Sequence, residues 1–174
     1  VGNHVAVYRQ SGYRSKLKSN ETCVPFFLSD PVGKFIESEQ ELFGRNTTEK
    51  PILGFCGMAP HGLKTGLKER LQIAYRNGKT WLGKTHEDSQ HILSSSNLRF
   101  KALTVFEKSK AFSTNYIIRK RYRGEVQTPE NRKKTTLEYY NNQRYSDLIL
   151  CVRGVGNFSL RFYESLAMGR IPVF

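Results

Sequence analysis

The sequence predicts an α/β fold built on a parallel sheet. Continuous apolar runs at residues 52–56 and 148–152 are typical of strands that are buried on both faces. A glycine-bearing loop follows each run, and a segment with helical spacing follows each loop. Strands that alternate with helices in this way are the units from which parallel sheets are built.

The chain has 174 residues, which is about the length of one domain, and a formal net charge of +13. This charge favours anionic partners: nucleic acid, membrane phospholipid, sulfated glycan or a nucleotide diphosphate. Charge alone does not choose among them. Cys23, Cys56 and Cys151 lack the spacing of a zinc site, and no apolar stretch is long enough to span a membrane.

The first fifty residues carry weak structural signals. The expected elements are a strand or strand end at 1–8, a basic loop at 10–22, an edge strand or extended segment at 24–28, a turn at 29–33 and a helix-compatible stretch at 35–43. Polar residues at 44–50 mark a predicted boundary. It separates an upstream segment, 1–50, from a domain over 51–174.

The structural signals are stronger within the predicted domain over 51–174. The expected elements are a strand at 52–56, a loop at 57–66, a helix at 67–75 ended by Asn77 and Gly78, a loop at 94–96, a helix within 98–112, a strand at 116–118, a helix at 135–144, a strand at 148–152, a helix at 160–168 and a strand from 171. Ser159 is the predicted N-cap of the last helix, and Gly169 its C-terminal stop.

The last thirty residues contain the clearest candidate site. A strand, a glycine-bearing loop and a helix start bring free N–H groups and the positive end of a helix dipole together, which suits a phosphate. An ordinary strand-to-helix turn has the same outline. Arg153 before the loop, and Arg161 and Glu164 in the helix, favour the phosphate interpretation.

Each candidate side chain has a functional and a structural interpretation. Glu164 suits ribose hydroxyls, or forms a surface pair with Arg161. Arg119 follows a predicted strand and suits a diphosphate, whereas the surrounding basic run is interpreted as a solvated loop. Arg153 and Arg161 meet phosphate or neutralise Glu164. Asn157 and Ser159 bind phosphate, or Ser159 only caps the helix.

The segment RGVGNFSLRFYESLAMGRIPVF resembles the donor-binding segment of exostosin-type glycosyltransferases, and the likeness extends over 147–174. Weaker likeness lies at ILGFCG (52–57) and at NYIIRKRY around Arg119. The resemblance implies a Rossmann-like donor-binding domain of a GT-B glycosyltransferase, with Gly57, His61 and Lys64 either near the donor or ordinary loop residues. The expected donor-binding set is Arg119, Arg153, Gly154, Gly156, Asn157, Ser159, Arg161 and Glu164.

The implied reaction transfers a sugar from a nucleotide-diphosphate-sugar donor to a glycan or another hydroxyl acceptor. Inverting transfer needs a general base, and the isolated histidines identify none. The sequence has no Asp-x-Asp pair, so we expect transfer without a metal or a cofactor, with arginines stabilising the leaving group. Since a GT-B enzyme needs two domains, we expect a donor half that is incomplete at both ends and inactive alone.

Two alternatives stay open. A basic nucleic-acid-binding module would fit the charge and the nine tyrosines, but the basic residues are scattered and no nucleic-acid motif is present. A non-catalytic glycan-binding homologue would keep the fold without turnover. The expected partners are a nucleotide-sugar donor and a glycan acceptor, without nucleic acid, and with membrane association only through missing termini. The expected location is the cytoplasm for a bacterial protein, and the Golgi membrane or lumen for a eukaryotic one.

Overall fold

A computed structural model describes residues 5–10, 12–31, 33–36, 50–85, 88–120, 128–154 and 158–174. The elements in these ranges are β1 Val7–Arg9, β2 Glu21–Cys23, β3 Ile52–Met58, α1 Leu63–Trp81, α2 Ser95–Lys108, β4 Ser113–Arg119, α3 Pro129–Arg144, β5 Leu148–Leu150, α4 Leu160–Ala167 and β6 Ile171–Val173. A single 3-10 turn lies at Arg14–Lys16.

Four strands form a parallel sheet in the order β4-β3-β5-β6. β3 pairs with β4 along its full length, from Ile52 opposite Ser113 to Met58 opposite Arg119. The sheet and its helices confirm the predicted parallel α/β class, and the architecture is compatible with a Rossmann-like fold. β1 and β2 form a separate parallel pair. No helix in the described ranges is long and apolar enough to cross a membrane.

Alternate residues of β3 face different helices, so the sheet is covered on both sides. Leu53 and Phe55 are fully buried in a cluster with Leu103 of α2. On the other face, a Cβ on Gly54 would lie 2.3 Å from the Oγ of Ser146, just after α3. Burial on both faces explains the continuous apolar run in the sequence.

The predicted end of the first long helix is wrong. α1 starts at Leu63, inside the predicted loop at 57–66, and continues through Asn77 and Gly78 to Trp81. The stop is Gly83, whose φ of 67° is left-handed and directs the next N–H, that of Lys84, back to Lys79 O at 2.9 Å. Gly78 therefore has helical conformation at a modest propensity cost, and the sequence contains a better stop five residues later.

The predicted loop at 94–96 is also wrong. Ser94 is the N-cap of α2 and accepts a hydrogen bond from the Asn97 N–H at 3.2 Å, while Ser95 and Ser96 form the first turn. The hydroxyls of Ser94 and Ser96 both donate to the carboxylate of Glu69 in α1. The serine cluster therefore starts a helix because its hydroxyls cap α2 and join it to α1.

Several other boundaries differ from expectation. β4 is longer than the predicted 116–118, and α3 starts at Pro129 instead of 135, with Thr128 accepting from the Asn131 N–H. Of the two alternatives for 24–28, the edge strand does not form, because pairing to β1 ends at Val24 and Pro25 has no N–H. The predicted turn lies slightly later, at 33–35. Most of the helix-compatible stretch at 35–43 and of the boundary at 44–50 lies outside the described residues.

The predicted order of strand, loop, helix and strand in the last thirty residues is confirmed in its main features. β5 is shorter than 148–152, but α4 follows with Ser159 at the N-cap position. α4 ends on Gly169, whose φ is 62°. The Arg170 N–H donates to Ser165 O at 2.8 Å, and the Gly169 N–H to Leu166 O at 2.9 Å. This pair of hydrogen bonds is a Schellman motif, which turns the chain directly into β6.

Candidate functional site

The carboxyl ends of β3 and β5 lie side by side in the sheet. The loop after β5 leads into α4, whose first turn therefore lies above this edge. Ligands of parallel α/β proteins bind outside the carboxyl ends of the strands, where connecting loops and helix starts meet. The candidate site consists of the side chains that reach this edge.

Arg161, in the first turn of α4, joins the ends of the two strands. Its Nη1 donates to Leu150 O at 3.2 Å and its Nη2 to Cys56 O at 2.8 Å. Its Cζ also lies 4.5 Å from the ring centroid of Phe55. A Cβ on Gly57 would lie only 2.9 Å from Arg161 Nη2, so glycine leaves the space that the guanidinium occupies.

Arg99 of α2 reaches the same edge, and the sequence analysis missed it. Its Nη1 donates to Met58 O at 2.5 Å and its Nη2 to Arg153 O at 3.3 Å. Its Cζ lies 5.8 Å from the Phe55 centroid. Burial, together with the nearby charge of Arg161, lowers the pKa of Arg99 to about 10, which keeps it positive at neutral pH. The sequence did contain one signal for Arg99. This residue lies four residues before Leu103, which is buried, and residues at this spacing share one face of a helix, so Arg99 belongs to the face that packs on the core.

Glu164, one turn after Arg161, contacts α3 through Tyr139. The hydroxyl of Tyr139 donates to Glu164 Oε2. Burial, and then the neighbouring carboxylate, raise the pKa of Tyr139 well above its usual value, so the phenol stays a donor. Arg161 lies over the same tyrosine ring, at 5.8 Å. The structure thus brings Arg161 and Glu164 together around one aromatic side chain.

The described part of the loop after β5 is fixed by hydrogen bonds to the segment around the start of α2. Arg153 donates from Nη2 to His91 O at 3.1 Å, and Gly154 O accepts from the hydroxyl of Ser95 at 3.1 Å. Ser159 accepts the Phe162 N–H at its carbonyl, and its hydroxyl makes no capping hydrogen bond within the described part of the chain. The predicted site residues Gly156 and Asn157 lie outside the described residues.

Arg119 ends β4 at the same edge but interacts with α3. Its Nη2 donates to Thr135 O at 2.8 Å and forms an ion pair with Glu138 Oε2 at 2.5 Å. Its charge is therefore compensated by an ion pair, whereas Arg99 and Arg161 form no ion pair with a carboxylate among the described residues. The Glu69 carboxylate lies near enough to Arg99 to act on its pKa. The donor role of Arg119 stays a prediction.

Comparison with protein-family models, curated proteins and solved structures found no match to this chain. The likeness to exostosin-type enzymes therefore rests on the motif residues themselves. What the geometry adds is an edge of the sheet where two guanidiniums and a carboxylate lie around Phe55 and Tyr139. This arrangement offers cationic donors for an anion beside an acceptor for hydroxyl groups.

Proposed function

We propose that this chain is the donor-binding half of an exostosin-like glycosyltransferase of the GT-B fold. It would bind a nucleotide-diphosphate sugar and pass the sugar to a glycan or another hydroxyl acceptor. The observation that carries the proposal is the placement of Arg161 and Glu164, one turn apart on α4, at the carboxyl edge of β3 and β5. A donor needs these two chemistries side by side, one for its diphosphate and one for its ribose.

Arg161 is the proposed diphosphate contact. A guanidinium offers paired N–H donors that match the oxygens of a phosphoryl group. Negative charge grows on the diphosphate as the sugar leaves, so a fixed cation there stabilises the transition state more than the ground state. Inverting transfer without a metal remains part of the proposal, in which arginines and the α4 dipole stabilise the leaving group.

Glu164 is the proposed acceptor for the ribose hydroxyls. A carboxylate accepts several hydrogen bonds, so it can hold the Tyr139 hydroxyl and still receive ligand donors. Tyr139 then acts as a positioning residue that fixes the carboxylate. In the free protein the half-buried α3–α4 contact already sets this orientation, which reduces the ordering needed on binding.

Calorimetric titration of the full chain with UDP and with GDP tests the proposal. We expect one nucleotide to bind, and Glu164→Ala to weaken its binding about ten- to hundredfold, the usual effect of losing hydrogen bonds to a charged group. The matched control is Glu107→Ala. It removes an exposed carboxylate at the C-terminal end of α2 and is expected to leave the affinity for the nucleotide unchanged.

Two results would contradict the proposal: a folded protein that binds neither nucleotide, or a Glu164→Ala variant that binds as tightly as the unchanged chain. Oligonucleotide binding with a steep salt dependence, in the absence of nucleotide binding, would instead favour the basic nucleic-acid module.

A further inference from the structure

We propose that Arg99 and Arg161 together form a two-arginine clamp for a diphosphate, with Arg99 as its second arm. This inference rests on the proposed function and extends it, because it adds a ligand contact from α2 to the contacts from α4. The sequence favours Arg119 as a diphosphate contact. In this proposal the contact is instead Arg99, which comes from a helix in which no site was expected.

The geometry brings the two guanidiniums to one place from different parts of the chain. Arg99 comes from α2 and Arg161 from α4, and both lie over the ring of Phe55, at 5.8 and 4.5 Å from its centroid. Phe55 is fully buried in the central strand, so the ring is a fixed platform for both. A planar cation over an aromatic face is attracted to it, and one ring thus holds two like charges close together.

Each guanidinium is already oriented, yet keeps donors for a ligand. A guanidinium has five N–H groups. Arg99 and Arg161 each use two for main-chain carbonyls at the strand ends. Each terminal nitrogen therefore retains a second N–H. The Nε of both residues is buried without a hydrogen-bond partner among the described residues, so the donors that a ligand can reach are the second N–H groups of the terminal nitrogens.

The charges of the pair point to an anion and not to a purely structural role. Arginines shielded from water are normally compensated by carboxylates, as Arg119 is by Glu138. Arg99 and Arg161 are half-buried, and neither forms an ion pair among the described residues, although the Glu69 carboxylate lies near enough to offset part of the Arg99 charge. The two cations still repel each other, and partial burial strengthens this repulsion. An anion with charge on two linked groups offsets both at once. A diphosphate has that form, with one phosphoryl group for each guanidinium.

Titration of the full chain with inorganic pyrophosphate, UDP and uridine tests the clamp. We expect Arg99→Met to weaken pyrophosphate and UDP by a similar factor, about tenfold or more, because the change removes charged donors to the shared diphosphate. Uridine, which lacks the diphosphate, should bind equally to both proteins. Lys101→Met is the matched control: it makes the same charge change at an exposed position of α2 and should leave all affinities unchanged.

A second measurement keeps the test decisive if Arg99→Met does not fold. Phenylglyoxal modifies accessible arginines, and peptide mass spectrometry reports each site in the unchanged chain. We expect pyrophosphate to protect Arg99 and Arg161 together, and to leave exposed Arg132 of α3 unprotected. Protection of Arg161 without protection of Arg99 would overturn the clamp.

The outcomes separate this inference from the proposed function. Unchanged pyrophosphate and UDP binding in Arg99→Met, with loss in Arg161→Met, would overturn the clamp and leave the donor site intact. Pyrophosphate binding that depends on Arg99, without binding of UDP or GDP, would support the clamp and contradict the nucleotide-sugar function. Absence of binding by all these ligands would overturn both.

Discussion

Substitution of Gly57 by alanine is a direct test of how the edge of the sheet holds Arg161. The added Cβ would lie 2.9 Å from Arg161 Nη2 and 3.5 Å from Phe55 Cζ. The distance to the ring is ordinary contact, but the distance to the guanidinium is too short for two unbonded atoms. Since β3 is fixed by pairing on both sides, we expect the flexible arginine to move and the strand to stay.

The expected loss of stability follows from what Arg161 must release. Its Nη2 donates to Cys56 O at 2.8 Å, and a hydrogen bond from a charged group contributes roughly 1.5–3 kcal/mol. The side chain is half-buried and recovers part of this from water once displaced. We therefore expect the displaced arginine to lower the free energy of unfolding by about 2 kcal/mol, which is roughly 4–8 °C in Tm for a chain of this size. The strain of a side chain at a φ of 158° adds to this loss.

Urea unfolding of four proteins measures the effect: the unchanged chain, Gly57→Ala, Arg161→Ala and the double variant. In the Arg161→Ala background the methyl group meets no guanidinium and only the backbone strain of a side chain at a φ of 158° remains, so we expect Gly57→Ala to cost clearly less there than in the unchanged chain. An equal cost in both backgrounds would refute the reasoning, since the destabilisation would then arise from the strand itself and not from the displaced arginine.

Three further predictions concern the packing around the sheet and α1. Gly54→Ala should lower the free energy of unfolding by about 3 kcal/mol or prevent folding, because the Cβ would lie 2.3 Å from Ser146 Oγ between two packed layers; urea unfolding measures it. Gly78→Ala should raise the same quantity by up to about 1 kcal/mol, since this helical glycine has nothing within 4 Å of the new methyl group. Desolvation raises the pKa of Glu69, but hydrogen bonds, above all from Ser96, outweigh it and the net pKa is lowered. A lowered folded pKa stabilises the fold above the unfolded value, so this stability is lost as the pH falls below about 4.5, and Glu69→Gln should reduce that part of the acid sensitivity.

The sequence predicted those parts of the fold that depend on local signals. Strands form within the runs at 52–56 and 148–152, because burial on both faces requires continuous apolar residues. The position of Ser159 at the helix start and that of Gly169 after the helix end were also predicted correctly, although the Ser159 hydroxyl makes no capping hydrogen bond among the described residues. These features are encoded within a few residues of each other.

Features that depend on distant partners could not be predicted in this way. Gly78 is a plausible helix stop by composition, yet α1 passes through it because Gly83 provides the terminating conformation. Arg119 was placed correctly at a strand end, but its partner Glu138 comes from α3. Arg99 has no motif around it, and its relevance depends on Phe55, which lies far from it in the sequence. Contacts between elements decide the cases of Arg119 and Arg99, whereas the helix end depends on the conformation of Gly83.

The arginine pair also resolves a conflict inherent in the carboxyl edge of a parallel sheet. Strand ends present carbonyl oxygens, which repel an approaching phosphate. Arg99 and Arg161 cover four of them, those of Cys56, Met58, Leu150 and Arg153. Because each guanidinium can donate on several sides, it binds these oxygens and still offers N–H groups to a ligand. An acceptor-rich edge thereby becomes a donor surface, and the strand-end carbonyls that would oppose an anion instead fix the cations that bind it.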